Sequence, residues 1–156
     1  MHKRTLLVVL AGLLLAGIAS PADKPDFSGE WKLNLSKSDY GPVPAPDMMV
    51  RKVAHKEPEL TVTTTQKGQM GEFTTEAKYA TDGKEYVNKT RRGEAKSVLK
   101  WEGAALVITT KLDFQGNEIV TVDRWTLAED GKTLNGDMKL SSPMGEAEMK
   151  MVFEKQ

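Results

Sequence analysis

Cysteine is absent from the 156 residues. That excludes a disulfide framework, a thiol nucleophile and a Cys-ligated zinc or iron–sulfur site. Histidine is nearly absent: only His55 lies beyond the first 22 residues, so a multi-His metal site cannot form, and neither a metal nor a cofactor is expected. Neither sign of charge is in excess, with 22 Lys and Arg against 22 Asp and Glu. Lys3 and Arg4 sit in the first 22 residues, which leaves 20 bases against 22 acids in the rest. A polybasic nucleic-acid binder is therefore excluded as the default. The chain has no Gly-x-Ser-x-Gly elbow and no Gly-rich phosphate loop opening a helix. His55 beside Lys56 and Glu57 reads as a solvated strand residue, Glu57 and Glu59 as solubilising surface. The protein is expected not to be an enzyme; if it were one, Asp123, Tyr79 or His55 would carry the proton.

Long hydrophobic runs are also missing, with one exception. Residues 5–19 are uncharged and rich in Leu, Val, Ala and Gly, preceded by Lys3-Arg4 and followed by the small residues Ser20 and Ala22. This is the layout of a secretory signal peptide, with cleavage expected after Ala22 because Pro21 fits badly after a cut. The run is shorter than the ~20 residues of a membrane-spanning helix. Residues 1–22 are thus read as a signal peptide and 23–156 as one domain, secreted or periplasmic, with no membrane span once the leader is removed.

What the mature part does contain is regular punctuation. Turn signals recur at Glu57-Pro58, Gly68 to Gly71, Asp82-Gly83, Arg92-Gly93, Glu102-Gly103, Gly116-Asn117, Asp130-Gly131 and Pro143 to Gly145. Between them run segments rich in Thr, Val, Ile and aromatics, many with period-two alternation. Phe73, Thr75, Ala77 and Tyr79 oppose Glu72, Thr74, Glu76 and Lys78; Leu134, Gly136, Met138 and Leu140 oppose Thr133, Asn135, Asp137 and Lys139. The pattern predicts ten antiparallel strands, roughly 27–36, 47–57, 59–67, 71–81, 84–91, 94–101, 104–114, 117–128, 132–141 and 145–154. One connection is long, the proline-rich 37–46, read as a stiff surface loop whose Tyr40 has the alternative of closing over a ligand. Short hairpins force neighbours to pair, and closure removes exposed edges. The expected fold is all-β, an up-and-down antiparallel barrel of about ten strands.

Phe27-Ser28-Gly29-Glu30-Trp31-Lys32-Leu33 opens the first strand. Its Gly29-x-Trp31 resembles the start of the calycin barrels, the lipocalins and fatty-acid-binding proteins. The whole start is also similar to small secreted bacterial lipocalin-like proteins. The resemblance implies a barrel that holds a small molecule. Two departures stand out. Fatty-acid-binding proteins place a helix pair between the first two strands, where this chain is proline-rich. They also tend to end in an Arg-x-Tyr pair that grips a carboxylate, where this chain has Met151 and Phe153, so fatty-acid binding does not carry over. In lipocalins a late basic residue packs over the Gly-x-Trp tryptophan, and Lys150 and Arg124 are the candidates here.

Hairpin register sorts the ambiguous strands, because cross-strand partners share a face. The Asp82-Gly83 loop would set Tyr79 opposite Tyr86 and Ala77 opposite Asn88. Glu102-Gly103 would set Trp101 opposite Ala104 and Leu99 opposite Leu106. Asp130-Gly131 would set Trp125 opposite Gly136, which leaves room for an indole, and Asp123 opposite Met138. Glu57-Pro58 would set Arg51 opposite Thr64 and His55 opposite Leu60. The interior then mixes apolar residues, among them Leu35, with Arg51 and Asp123, which pair with each other or serve a wet cavity. The expected ligand-binding residues are Arg51, Tyr79, Tyr86, Trp101, Asp123 and Trp125. The expected function is to bind a small apolar or amphipathic ligand inside the barrel. The rival is a non-catalytic envelope or interaction protein with a filled barrel and an exposed patch including Val50, Val98 or Val120.

Overall fold

The computed structural model describes residues 23–156; the expected leader lies outside the described residues. Ten strands follow in chain order: β1 Gly29–Leu33, β2 Met48–Lys56, β3 Glu59–Gly68, β4 Gly71–Ala80, β5 Glu85–Thr90, β6 Gly93–Glu102, β7 Ala105–Phe114, β8 Asn117–Leu127, β9 Thr133–Ser142 and β10 Gly145–Lys155. They form one antiparallel sheet in the order β4-β3-β2-β1-β10-β9-β8-β7-β6-β5, so the first and last strands pair and the sheet curls into a nearly closed barrel. The all-β meander expected from the alternation is present. Among the described residues no helix is long and apolar enough to cross a membrane.

Two hairpins have the expected register: Arg51 opposes Thr64 and His55 opposes Leu60, while Trp125 opposes Gly136 and Asp123 opposes Met138. The β6–β7 turn differs by two residues. Gly103, with φ 61°, opens a two-residue Gly103-Ala104 loop, and Trp101 faces Leu106 and Leu99 faces Ile108. A shift of two keeps every side chain on its face. The expected β4–β5 ladder is not formed: these two strands are the ends of the sheet order. Across the seam the Asn88 side chain stands in for a peptide. Lys78 N–H donates to Asn88 Oδ1 at 2.8 Å, and Asn88 Nδ2 donates to Lys78 O at 3.0 Å.

β1 is shorter than expected. Beyond Leu33 the side chains of Asn34, Ser36 and Ser38 compete for the backbone. Ser36 Oγ donates to Asn34 Oδ1, Ser38 Oγ donates to Asn34 O, and Val152 N–H on β10 donates to Ser38 Oγ. A 3₁₀ turn forms over Leu35–Lys37, and Leu35, expected inside, is 42% exposed. The following segment is not a plain surface loop. Asp39 and Lys150 exchange two backbone hydrogen bonds of 2.7 Å, and Asp47 N–H donates to Lys67 O. Tyr40 packs against the core with its hydroxyl buried. Residues 34–47 thus form a strap that fills the wall where β1 stops.

Five of the largest buried side chains, Leu60, Leu99, Leu106, Leu134 and Phe153, lie toward the ends of their strands that carry the β2–β3, β6–β7 and β8–β9 turns. Full burial of each contributes about 1.5–3 kcal/mol. Phe27 and Trp31 seal that end, with Trp31 Nε1 donating to Phe27 O at 2.8 Å. The opposite half is looser: the inward Thr64, Thr75, Thr110 and Thr121 are only half-buried. The Gly-x-Trp pair has a local cause. Gly29 has φ 139°, and a Cβ there would lie 2.8 Å from Lys155 Cε. The Lys155 side chain crosses Gly29 so that its ammonium stands 5.3 Å from the Trp31 ring centre. The basic residue over this tryptophan is therefore Lys155, not Lys150 or Arg124. Arg124 instead pairs with Glu102 on the outer face.

Candidate functional site

Alternation along β2 turns Arg51 inward, and alternation along β8 turns Asp123 and Trp125 inward. Arg51 Nη1 lies 3.8 Å from Asp123 Oδ2, both side chains being buried. The guanidinium is sandwiched, 5.2 Å from the Trp125 ring centre and 4.6 Å from that of Phe153. Trp125 Nε1 donates to Asp123 Oδ2 at 2.8 Å. Arg51 Nη1, Asp123 Oδ1 and the Tyr40 hydroxyl have no hydrogen-bond partner among the described residues. Burial pushes the Asp123 carboxyl above its ordinary value, against the opposing pull of Arg51 and the Trp125 N–H. Burial likewise raises the Tyr40 and Tyr79 phenols, with Arg51 opposing in both and the Ser97 hydroxyl opposing at Tyr79. Ser97 in turn shares a 2.8 Å hydrogen bond with Thr110.

Above this ion pair lies a cavity of about 240 Å³. Arg51, Asp123, Trp125 and Tyr79 line it, with Thr64, Thr110 and Thr121 on its polar side and Val62, Ile108 and Met138 on its apolar side. The lining also takes in Thr75 to Ala77 of β4 and Asn88 to Thr90 of β5, so the cavity reaches the seam between these strands. At the tip beyond the seam the Arg91 guanidinium stands 4.7 Å from the Phe73 ring centre, and Arg92 stands 5.7 Å from that of Phe114.

Four of the six expected ligand-binding residues, Arg51, Tyr79, Asp123 and Trp125, thus meet at one cavity. Tyr86 and Trp101 stand elsewhere. Without a β4–β5 ladder Tyr86 does not face Tyr79; its hydroxyl donates to Asp82 at 2.8 Å. Trp101 closes the sealed end, stacked on Phe27 and His55 at ring distances of 5.9 and 6.0 Å. His55 is not solvated. Its side chain is 3% exposed, because Phe27, arriving from outside the strands, covers it. Phe27 N–H donates to His55 Nδ1, which places the proton on Nε2, 3.0 Å from Glu57 Oε1. Glu57 also accepts from Thr81 and Trp101. Burial raises its carboxyl, but the hydrogen bonds from His55, Thr81 and Trp101, with Lys24 nearby, bring it below its ordinary value. His55 therefore does not share a pocket with Asp123 and Tyr79. Sequence reasoning underrated Tyr40, since a loop residue has no alternation to say where it points. The inward threonines follow from strand parity.

No family model and no curated protein sequence matches the chain. Solved structures do. The ileal bile acid-binding protein of zebrafish, complexed with cholic acid, superposes with a TM-score of 0.57 at 20% identity, covering 83% of this chain and 98% of that one. Fatty-acid-binding protein 1 of Echinococcus granulosus has a TM-score of 0.57 at 17% identity, over 83% and 96%. A secretory abundant heat soluble protein of Ramazzottius varieornatus has a TM-score of 0.61 at 12% identity, over 88% and 100%.

The fold is the antiparallel β-barrel of these proteins.

Within this fold, two features match the departures read from the sequence. The connection from β1 to β2 is the strap 34–47 instead of a helix pair. The last-strand residues Met151 and Phe153 are buried in the core, and the interior cation comes from β2, as Arg51.

Proposed function

We propose that this calycin barrel binds one small apolar or amphipathic molecule in the cavity above Arg51 and Asp123, and that it does so outside the cytoplasm. The observation that supports binding is the split interior: a packed half that seals one end, and a looser half with a mixed polar and apolar lining. Sites of that composition orient a ligand by a few polar groups and hold it by apolar contact. Among proteins of like fold, solved structures hold cholic acid and, in a Schistosoma mansoni fatty-acid-binding protein, arachidonic acid. Those neighbours are binding proteins, which favours binding over catalysis here. Location outside the cytoplasm is supported by the sequence of residues 1–22.

Protein purified from its native host should release a small molecule on solvent extraction, seen by mass spectrometry, and its intact mass should begin at Asp23. A protein that carries nothing, and whose lining resonances are unmoved by a panel of apolar and amphipathic compounds, overturns the binding reading. An exported protein retaining residues 1–22 overturns the cleavage.

A further inference from the structure

We propose that Asp123 is a specificity-determining residue: by neutralising Arg51 at the cavity floor, it selects uncharged hydroxyl- or carbonyl-bearing amphiphiles over carboxylates. This rests on the binding reading above and sharpens it to a class of ligand. Arg51 and Asp123 are the charged side chains that strand parity turns into the cavity, and they stand 3.8 Å apart. Glu76 and Lys89, the other charged residues of the lining, sit on the outward parity of β4 and β5 at the seam, one of each sign. Glu76 is paired with Lys78, and the floor, where a head group would rest, has no charge to spare.

A carboxylate entering this space gives up its hydration, which is costly unless a cation takes over. Here the cation already faces the Asp123 carboxyl, and wherever Asp123 is ionised against Arg51 it repels the newcomer across a few ångströms of poorly screened interior. An uncharged hydroxyl or carbonyl meets no such repulsion. The hydroxyls of Thr64, Thr75, Thr110 and Thr121 line the same space and can donate to it or accept from it.

The test compares 1-octanol with octanoate at pH 7.5, following the Trp125 indole N–H resonance, which reports on Asp123 directly. In the wild-type protein octanol should bind about tenfold or more tighter than octanoate. Asp123→Asn keeps an oxygen to accept the Trp125 N–H and removes the charge, and the preference should invert. Equal or tighter octanoate binding by the wild type overturns the inference while leaving the binding reading intact. An unchanged preference in Asp123→Asn also overturns it. Should Asp123→Asn fail to fold, the wild-type ratio decides, together with Arg51→Gln. There Asp123 stands unopposed and octanoate binding should vanish; its persistence overturns the inference. If neither compound moves any lining resonance in the wild type, this inference falls, while the solvent extract and the wider panel decide the binding reading.

Discussion

Several single side chains act in ways their neighbours in sequence do not announce. Gly136 was expected to leave room for the Trp125 indole, yet a Cβ there would meet Asp123 Oδ1 at 3.2 Å and Met151 Cε at 3.5 Å. The free space is used by the carboxylate. Gly136→Ala should destabilise the fold by about 1–3 kcal/mol through overpacking, read as a lower urea midpoint at an unchanged slope. Glu57 collects the N–H or O–H groups of His55, Thr81 and Trp101, and Glu57→Ala should cost about 1–2 kcal/mol near neutral pH. Its carboxyl titrates below its ordinary 4.5 in the folded state. The stability it contributes is therefore present above that value and lost as pH falls through the folded value. The gap between wild type and Glu57→Ala should accordingly shrink on acidification. Asp123 has the opposite sign. Its folded value is raised above 3.8, so folding is most favoured below that pH and loses ground as pH rises through the folded value. Denaturation curves of the wild type and Asp123→Asn across acid pH check the direction.

At the scale of the element, two joints hold the barrel where no ladder does. The seam between β4 and β5 depends on Asn88, whose amide meets both the N–H and the C=O of Lys78. Asn88→Ala should raise hydrogen exchange at the Lys78 amide about tenfold or more, with little change in β7 and β8, since local opening is governed by local bonds. The strap depends on Gly41, at φ 53°, where a Cβ would stand 2.9 Å from the Glu148 carbonyl oxygen. Gly41→Ala should lift the strap from β10, and faster exchange of the Lys150 amide, which donates to Asp39 O, would report it. These joints also mark where the sequence is hard to read. Alternation from Phe73 to Tyr79 and from Tyr86 to Thr90 specifies a face for each residue but not a neighbour for each strand. A seam and a hairpin then look alike. Leu35 continues the alternation of β1 and still leaves it, because Asn34, Ser36 and Ser38 offer the backbone nearer partners.

For the whole molecule, legibility follows the range of the interaction. Parity and turn residues, both local, were enough for ten strands, for the meander, and for bringing Arg51, Asp123, Trp125 and Tyr79 to one interior. Burial of His55 was not legible, since it depends on Phe27 folding in from 28 positions earlier. Trp101 was drawn to the sealed end by the same cluster. The outer face carries Val50, Val98 and Val120, all half-buried. The large apolar side chains most open to solvent, Met70, Met144, Val87 and Leu35, lie on separate segments and not in that expected patch.

Among the described residues β1 is the first strand in chain order and β10 the last, and they are stitched side by side, with Trp31 opposite Lys155 and the amide of Gln156 donating to Glu30. The cylinder therefore cannot shut until β10 is made: a growing chain keeps a bare, sticky selvage to β1 until residue 155 is in place. A chain cut before Phe153 should accumulate as aggregate instead of as a slightly weakened monomer, and a sedimentation assay of the expressed fragment would tell the two apart.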